Sequence, residues 1–274
     1  MSRDFVKYLF VDIFHGILDS GKGFFVSLNS IKSYLRLLLI FSLLKLLAWN
    51  IICIGIFAFF EYFCNYLNTQ PNGTVYDGYN FLTIFATGCK IIPYAFIRIF
   101  SVLWHSDISN AALRYLNATQ TNSRVIFKSA DFLYSIIIEI VFGLQIVLIY
   151  YLPAVINIPV FIHCCLLNAL YCFEYSWMSA DIKCSERVEK IHKSWPYFIG
   201  FGLLLTSPTL YVQSSIVNNC IFAALFPFFI ISGYLSNDKA PIRSAICRIP
   251  FFKYTTQFTD KALSYVPILT KTLY

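Results

Sequence analysis

The chain opens with a helical period. At 100° per residue Phe5, Val6, Leu9, Phe10, Ile13, Phe14 and Ile17 share one half of residues 4–19, while Asp4, Lys7, Asp12, His15 and Asp19 share the other. Such an amphipathic helix either lies in a membrane interface or packs on a helix bundle, and Asp19-Ser20-Gly21-Lys22-Gly23 reads as its end. An apolar segment follows over 31–67, about 55 Å of helix against a thin bilayer of roughly 27 Å, so it is expected to tilt strongly or to project beyond the lipid. The loop Asn68 to Gly78 holds Pro71, Asn72 and Gly73 and no Lys or Arg. A second span covers 79–104, with Pro93 as an expected kink.

A polar link (His105 to Arg124) leads to an apolar pair within 131–177, whose turn is marked by Pro153 and Pro159. Its length suits either a re-entrant hairpin or two tilted spans. Residues 180–195 read as a charged helix with a narrow apolar stripe of Cys184, Val188, Ile191 and Trp195, lying along the membrane face. Glu186 to Lys190 and Glu189 to Lys193 are spaced to pair on its surface. The last apolar pair occupies 197–232. Its first arm, Tyr197 to Ser207, has 11 residues before Pro208, about 16 Å of helix, a length that suits a re-entrant hairpin better than a span. The tail, 233–274, mixes Lys239, Arg243, Arg248, Lys253, Lys261 and Lys271 with aromatic residues, as an interfacial segment does. The fold class expected is an all-α polytopic membrane protein forming one domain over 1–274. It would have two long transmembrane helices, two helical hairpins of which at least the second is re-entrant, and amphipathic interfacial helices.

Composition supports lipid as the solvent. With 58% hydrophobic and 13% charged residues, the chain falls well below the roughly 25% charged share of a soluble domain. The opening residues Met1 to Gly23 lack the basic start and compact apolar core of a cleaved signal peptide. Of nine cysteines, Cys53, Cys64, Cys89, Cys164, Cys165, Cys172 and Cys220 lie in apolar runs without C-x-x-C spacing, so they read as small buried hydrophobes rather than metal ligands.

The net charge of +7 bears on topology rather than on nucleic acid. Basic residues gather before and at the start of the first span, in the link, on the charged helix and in the tail, and are missing from the loops at the opposite ends. The positive-inside rule then sets both termini, the link and the charged helix in the cytosol. Asn72-Gly73-Thr74 becomes a lumenal glycosylation candidate at Asn72, and Asn117-Ala118-Thr119 stays cytosolic.

Candidate chemistry is sparse. Glu139 stands in the middle of an apolar arm, where an ionisable group either lines a pathway or is held by a partner, with Lys90 and Arg98 of the second span as candidates. His163 has no second metal ligand at suitable spacing and reads as a core histidine. The run Pro208 to Asn219 is polar where the second hairpin turns, so Gln213, Ser214, Ser215, Asn218 and Asn219 either line a site at membrane depth or form a wet lumenal loop. No nucleophile elbow, phosphate-cradling loop or catalytic carboxylate pair is present, so no enzyme, metal or cofactor is expected.

The strings Leu170-Tyr171-Cys172-Phe173-Glu174-Tyr175-Ser176-Trp177, Trp195-Pro196-Tyr197-Phe198-Ile199-Gly200-Phe201-Gly202, Gln213-Ser214-Ser215 and Leu225-Phe226-Pro227-Phe228-Phe229-Ile230-Ile231-Ser232 resemble the etoposide-induced, autophagy-associated membrane protein family and its ectopic-P-granule branch. The likeness is dense over Asn168 to Ser232 and departs at Ser176, where the family commonly has a basic residue. It implies an endoplasmic-reticulum membrane protein of autophagy that acts in autophagosome formation or maturation and aggregate clearance, with effects on reticulum calcium. Its partners would be membrane lipids, other autophagy proteins and, as a homo-oligomer, further copies of itself. More distantly the family is similar to CysZ-type sulfate permeases, which implies ion transport as an alternative role. The resemblance gives Glu174, Tyr175, Trp177, Trp195, Phe201 and Gly202 structural roles: tying the charged helix to the bundle and letting the second hairpin pack closely at glycine.

Overall fold

The computed structural model describes residues 3–29, 129–151, 158–212, 215–236 and 247–264, with single helical positions at 44, 45, 48, 51, 52, 55, 59, 62, 105 and 109. Among the described residues there are seven helices and no strand: α1 (Arg3–Asn29), α2 (Ser129–Tyr151), α3 (Ile158–Ser179), α4 (Cys184–Lys193), α5 (Trp195–Tyr211), α6 (Ser215–Ser236) and α7 (Lys253–Ser264). The expected helical class is met. The span 79–104 and the loop before it lie outside the described residues. Of the span 31–67, Leu44, Lys45, Ala48, Ile51, Ile52, Gly55, Phe59 and Tyr62 are described, and all are helical and exposed. Among the described residues α3 alone is long and apolar enough to cross a membrane.

The α5–α6 hairpin lies at the centre, between α1 on one side and α3 on the other. Three glycines make the α1 contact. A Cβ at Gly16 would overlap the Tyr197 carbonyl, one at Gly200 the Ile13 carbonyl, and one at Gly23 the Phe228 carbonyl. On the other side Gly202 meets the Cys165 backbone of α3, and Gly233 meets that of Cys172. α3 thus touches both arms of the hairpin. It runs antiparallel along α5, with Asn168 bonded to Thr206 at 2.8 Å and Trp177 on Phe198 with ring centroids 5.8 Å apart. Aromatic rings fill this contact: Phe173 stacks on Trp177 with centroids 5.2 Å apart and meets Phe201 at 4.6 Å, and Phe201 reaches Phe229 at 6.2 Å.

Two sequence expectations are overturned here. α1 does not end at Asp19 to Gly23 but continues to Asn29. A mid-helix glycine disfavours a helix by about 1 kcal/mol, and the close approach that Gly23 allows to α6 outweighs this. α5 likewise does not stop before Pro208. It runs 17 residues to Tyr211 with the proline inside, about 26 Å. At that length the arm no longer falls well short of a thin bilayer of roughly 27 Å. Hydroxyls around the proline engage helix carbonyls: Ser207 Oγ donates to Leu203 at 2.8 Å and Thr209 Oγ1 to Thr206 at 2.8 Å. Such side chains are how membrane helices tolerate proline. The polar turn narrows accordingly to the few residues between Tyr211 and Ser215.

α2 and α3 are antiparallel, Ser135 facing Glu174 at one end and Gln145 facing His163 at the other. Two further helices flank α2. α4 starts with Cys184 near Ser135 (3.8 Å) and ends with His192 beside Phe252, whose ring stacks on Phe142 at 3.9 Å. α7 runs antiparallel to α2, with Thr255 bonded to Gln145 and Asp260 to Tyr134.

Candidate functional site

α1 gives the first unusual feature. Two of its carboxylates point into the protein, Asp12 1% and Asp19 8% exposed, while Phe10 is 66% and Phe25 70% exposed, in a row with Val6, Phe14 and Leu18. The expected division into halves is not kept: Asp4, Lys7 and His15 are exposed, Leu9, Ile13 and Ile17 are half-buried, and the packed face runs through Asp12, Gly16, Asp19 and Gly23. Tyr197 Oη donates to Asp19 Oδ2 at 2.8 Å, and Lys22 pairs with the same carboxylate. The Ser232 hydroxyl donates to the Ser20 carbonyl at 2.6 Å and accepts from the Gly23 amide at 2.8 Å. Buried, paired carboxylates on the packed face and a row of large apolar side chains on the outer one suit lipid better than water.

The second cluster joins α2, α3 and α4. Glu174 Oε1 accepts a hydrogen bond from the Ser135 hydroxyl and lies 3.7 Å from Arg187 Nη1. Arg187 is buried, and its Nε donates to the Ile182 carbonyl at 2.7 Å. Four apolar positions beside it, Cys184, Val188, Ile191 and Trp195, are all buried, as the stripe in the sequence suggested, although Trp195 begins α5 rather than ending α4. Trp177 lies beneath Lys190, whose Nζ is 5.8 Å from the indole centroid. Tyr175 offers its carbonyl to Tyr234 Oη at 2.9 Å, and the Ser109 hydroxyl lies 2.5 Å from that same oxygen. Ser176, at the position where the resemblance has a basic residue, is buried and bonds back to the Phe173 carbonyl at 2.9 Å.

A third cluster holds the segment Cys247 to Phe252. Trp195 Nε1 donates to the Cys247 carbonyl at 3.0 Å, and Arg248 Nη2 pairs with Glu189 at 2.5 Å. Glu189 also meets Lys193 at 3.5 Å, the pair expected from their spacing. The Phe252 amide donates to His192 Nε2 at 3.1 Å, so that nitrogen carries no proton. Burial is the largest influence on His192 and lowers its pKa from the ordinary 6.5; Glu189 opposes this and Arg248 adds to it. Gln145 connects this cluster to α3. Its amide nitrogen lies 3.3 Å from both His163 Nε2 and the Phe251 carbonyl, and its oxygen accepts from Thr255 at 3.0 Å. His163 Nδ1 in turn lies 2.6 Å from the Pro159 carbonyl. Both ring nitrogens thus have partners, as in a core histidine.

The sequence candidates are not brought together as one site. Glu139 is half-buried on α2. Lys90, Arg98, Asn72, Gln213 and Ser214 lie outside the described residues, and Ser215 and Asn219 belong to the first turns of α6. Asn218 is half-buried there, and its Oδ1 is enclosed with no hydrogen-bond partner among the described residues. Among the described residues no three His, Cys, Asp or Glu side chains are placed to hold a metal. Sequence reasoning missed Gln145, Arg187, His192 and the Asp19–Tyr197 pair. Gln145 carried the same signal as Glu139, a polar group within an apolar arm, and faces His163 from that position.

Ectopic P granules protein 4 of Caenorhabditis elegans is 37% identical over 187 residues, which cover 66% of this chain and 59% of that protein. A protein named EI24 homolog in Arabidopsis thaliana is 24% identical over 207 residues, covering 62% of this chain and 63% of its own length. The Dictyostelium discoideum EI24 homolog is 24% identical over 241 residues, 82% of this chain and 74% of its own. The chain thus spans less than two thirds of the first two relatives. No solved structure matches. The profile described as sulfate transporter CysZ/etoposide-induced protein 2.4 matches residues 22–231, and the chain belongs to that family.

Proposed function

We propose that this chain is a multi-pass membrane protein of the endoplasmic reticulum, with both termini cytosolic, that serves autophagosome formation or maturation and the clearance of aggregates. It acts without enzymatic chemistry, by organising the membrane, and so affects reticulum calcium. Membrane lipids, other autophagy proteins and further copies of the chain are its partners. Membership of the family and the likeness to ectopic P granules protein 4 support this reading. The observation that carries it is the exposed apolar row of α1, Val6, Phe10, Phe14, Leu18 and Phe25, which faces outward while Asp12 and Asp19 are buried. Replacing Phe10, Phe14 and Leu18 with Ser is expected to abolish aggregate clearance and autophagosome turnover in cells lacking the native protein. Any ion flux of the purified protein would be unchanged. Normal clearance by such a variant, folded and membrane-bound, overturns the reading.

A second reading is an ion pathway for a sulfate-like anion or calcium. The family's description, which includes a sulfate transporter, favours the anion, and the enclosed Asn218 oxygen near the hairpin tip, an acceptor without a partner among the described residues, favours the cation. Glu139, Lys90, Arg98, Gln213, Ser214, Ser215, Asn218 and Asn219 would line it. Folded protein in liposomes that passes neither sulfate, chloride nor calcium rules it out.

A further inference from the structure

We infer that α7 is a contact for anionic lipid: Tyr254 and Phe258 enter the boundary between acyl chains and headgroups, and Lys253 and Lys261 pair with the phosphates of negatively charged phospholipids. The inference rests on the membrane reading above and adds to it a lipid class and the side chains that meet it. α7 lies beyond residues 22–231, which the family profile matches, so that match assigns it no role.

The packing of α7 reverses what water would select. Thr255 and Thr259 are 1% and 0% exposed, and Thr255 donates to Gln145 of α2 at 3.0 Å. Tyr254 and Phe258, by contrast, stand 74% and 61% exposed. A helix covering a protein in water is expected the other way round, with rings inward and hydroxyls outward, because a large ring gains far more from burial than a threonine does. The bonds from Thr255 to Gln145 and from Tyr134 to Asp260 hold α7 in this orientation at both ends.

Charge identifies the occupant. At 100° per residue Tyr254, Phe258 and Lys261 share an outer strip about 60° wide, with Gln257 and Lys253 along one edge, and all five are exposed. Asp260 lies past that edge and accepts from Tyr134 Oη at 2.6 Å, so the strip carries lysine and no carboxylate. A lysine ammonium has three donors, so a contact within the protein does not use it up. Aromatic rings beside lysines suit the headgroup boundary: the rings lie among the first methylenes, and the lysine stems run along them while the ammonium reaches the phosphates. The neighbouring helix differs in the expected way. α2 exposes Ile140, Leu144 and Leu148 as a row without charge, a surface for acyl chains alone. An anionic bilayer satisfies both demands of the α7 strip at once, and α2 beside it already requires a bilayer.

The test uses the full chain in liposomes, with a fluorescent non-natural residue at Gln257, which is exposed beside the strip and leaves its rings and lysines intact. A nitroxide near the headgroup end of the acyl chain is carried by phosphatidylserine in one set of liposomes and by phosphatidylcholine in the other, with the lipid mixture otherwise the same. Each lysine near an anionic surface contributes on the order of fivefold in affinity. The serine lipid is therefore expected to quench several-fold more than the choline lipid, with the preference shrinking in high salt. Lys253→Gln with Lys261→Gln is expected to bring the two lipids level, and Tyr254→Ser with Phe258→Ser to weaken quenching by both. All four positions are exposed, so these variants keep the unfolding temperature of the parent chain. Equal quenching by the two lipids with all four side chains in place overturns the anionic assignment. Absence of quenching by either, as under an acidic protein partner or a second copy, overturns the lipid contact itself. A chain that fails to float with the liposomes would instead sink the membrane reading on which the inference stands.

Discussion

Glu174 and Arg187 face each other at 3.7 Å in the protein interior, so the charged helix α4 is fastened to α3 by a buried ion pair rather than by surface contacts. The turn between them makes this possible. Asp181 takes φ 59°, a left-handed conformation that Asp tolerates better than most residues, and the chain reverses there from α3 towards α4. Ser135 donates to the same carboxylate, which brings α2 into the joint.

Breaking the pair one-sidedly leaves an uncompensated charge. Glu174→Ala or Arg187→Ala is expected to destabilise the protein by about 3–5 kcal/mol. Replacing both with apolar residues of similar volume, Glu174→Leu with Arg187→Met, is expected to cost much less than either single change. Thermal unfolding in detergent micelles checks this. Single and double variants of equal stability would show that the pair does not hold the joint.

Tyr197 and Asp19 make the corresponding joint between α1 and α5. Tyr197→Phe removes the donor and leaves a nearly buried carboxylate with Lys22 as its remaining partner among the described residues. Hydrogen bonds to charged groups contribute about 1.5–3 kcal/mol, and a loss of that size is expected in the same unfolding assay. Cleavage by protease should then increase first within α1, since α5 keeps its contacts with α3.

Much of the helix pattern was legible in the sequence because lipid helices are long apolar runs, and the stripe Cys184, Val188, Ile191 and Trp195 is buried as its spacing suggested. What sequence could not give is direction. A helical wheel tells which residues share a face and not which solvent that face meets, so α1 was legible as amphipathic, but not as burying Asp12 and Asp19 while Phe10 and Phe14 stay outward. Pro208 misled for a related reason: proline as a helix stop is a rule for water, and around this one hydroxyls engage the backbone. The clusters at Gln145 and His192 depend on the tail returning from residues 247–264 to α2 and α4, contacts across 110 and 60 positions that no local pattern records.

Glycine substitution separates packing from propensity. A Cβ at Gly202 would overlap the Cys165 carbonyl, whereas one at Gly55 would meet nothing within 4 Å. Gly202→Ala is therefore expected to lower stability by about 1–3 kcal/mol through overpacking. Gly55→Ala, which improves helix propensity in open space, should be neutral or stabilising by up to about 1 kcal/mol. Opposite signs in paired unfolding measurements support the close packing of α3 on α5, and a tolerated alanine at Gly202 contradicts it.

His192 makes the tail sensitive to acid. Because its Nε2 accepts the Phe252 amide, protonation would set one N–H against another, and burial already holds its pKa below the ordinary 6.5. The folded protein therefore binds this proton less readily than the unfolded chain does. The stability that follows is fully present above pH 6.5 and is lost as the pH falls from there towards the lower native value, at no more than about 1.4 kcal/mol per pH unit. Unfolding measured at pH 7.5, 6.5 and 5.5 should show this decline in the native protein. The decline should be smaller in His192→Gln, whose side-chain oxygen can still accept the Phe252 amide but does not titrate. Comparing the two chains removes the contribution of His163 and the carboxylates, which both share. Identical pH dependence in the two would mean that the neutral imidazole is not what holds Phe252 in place.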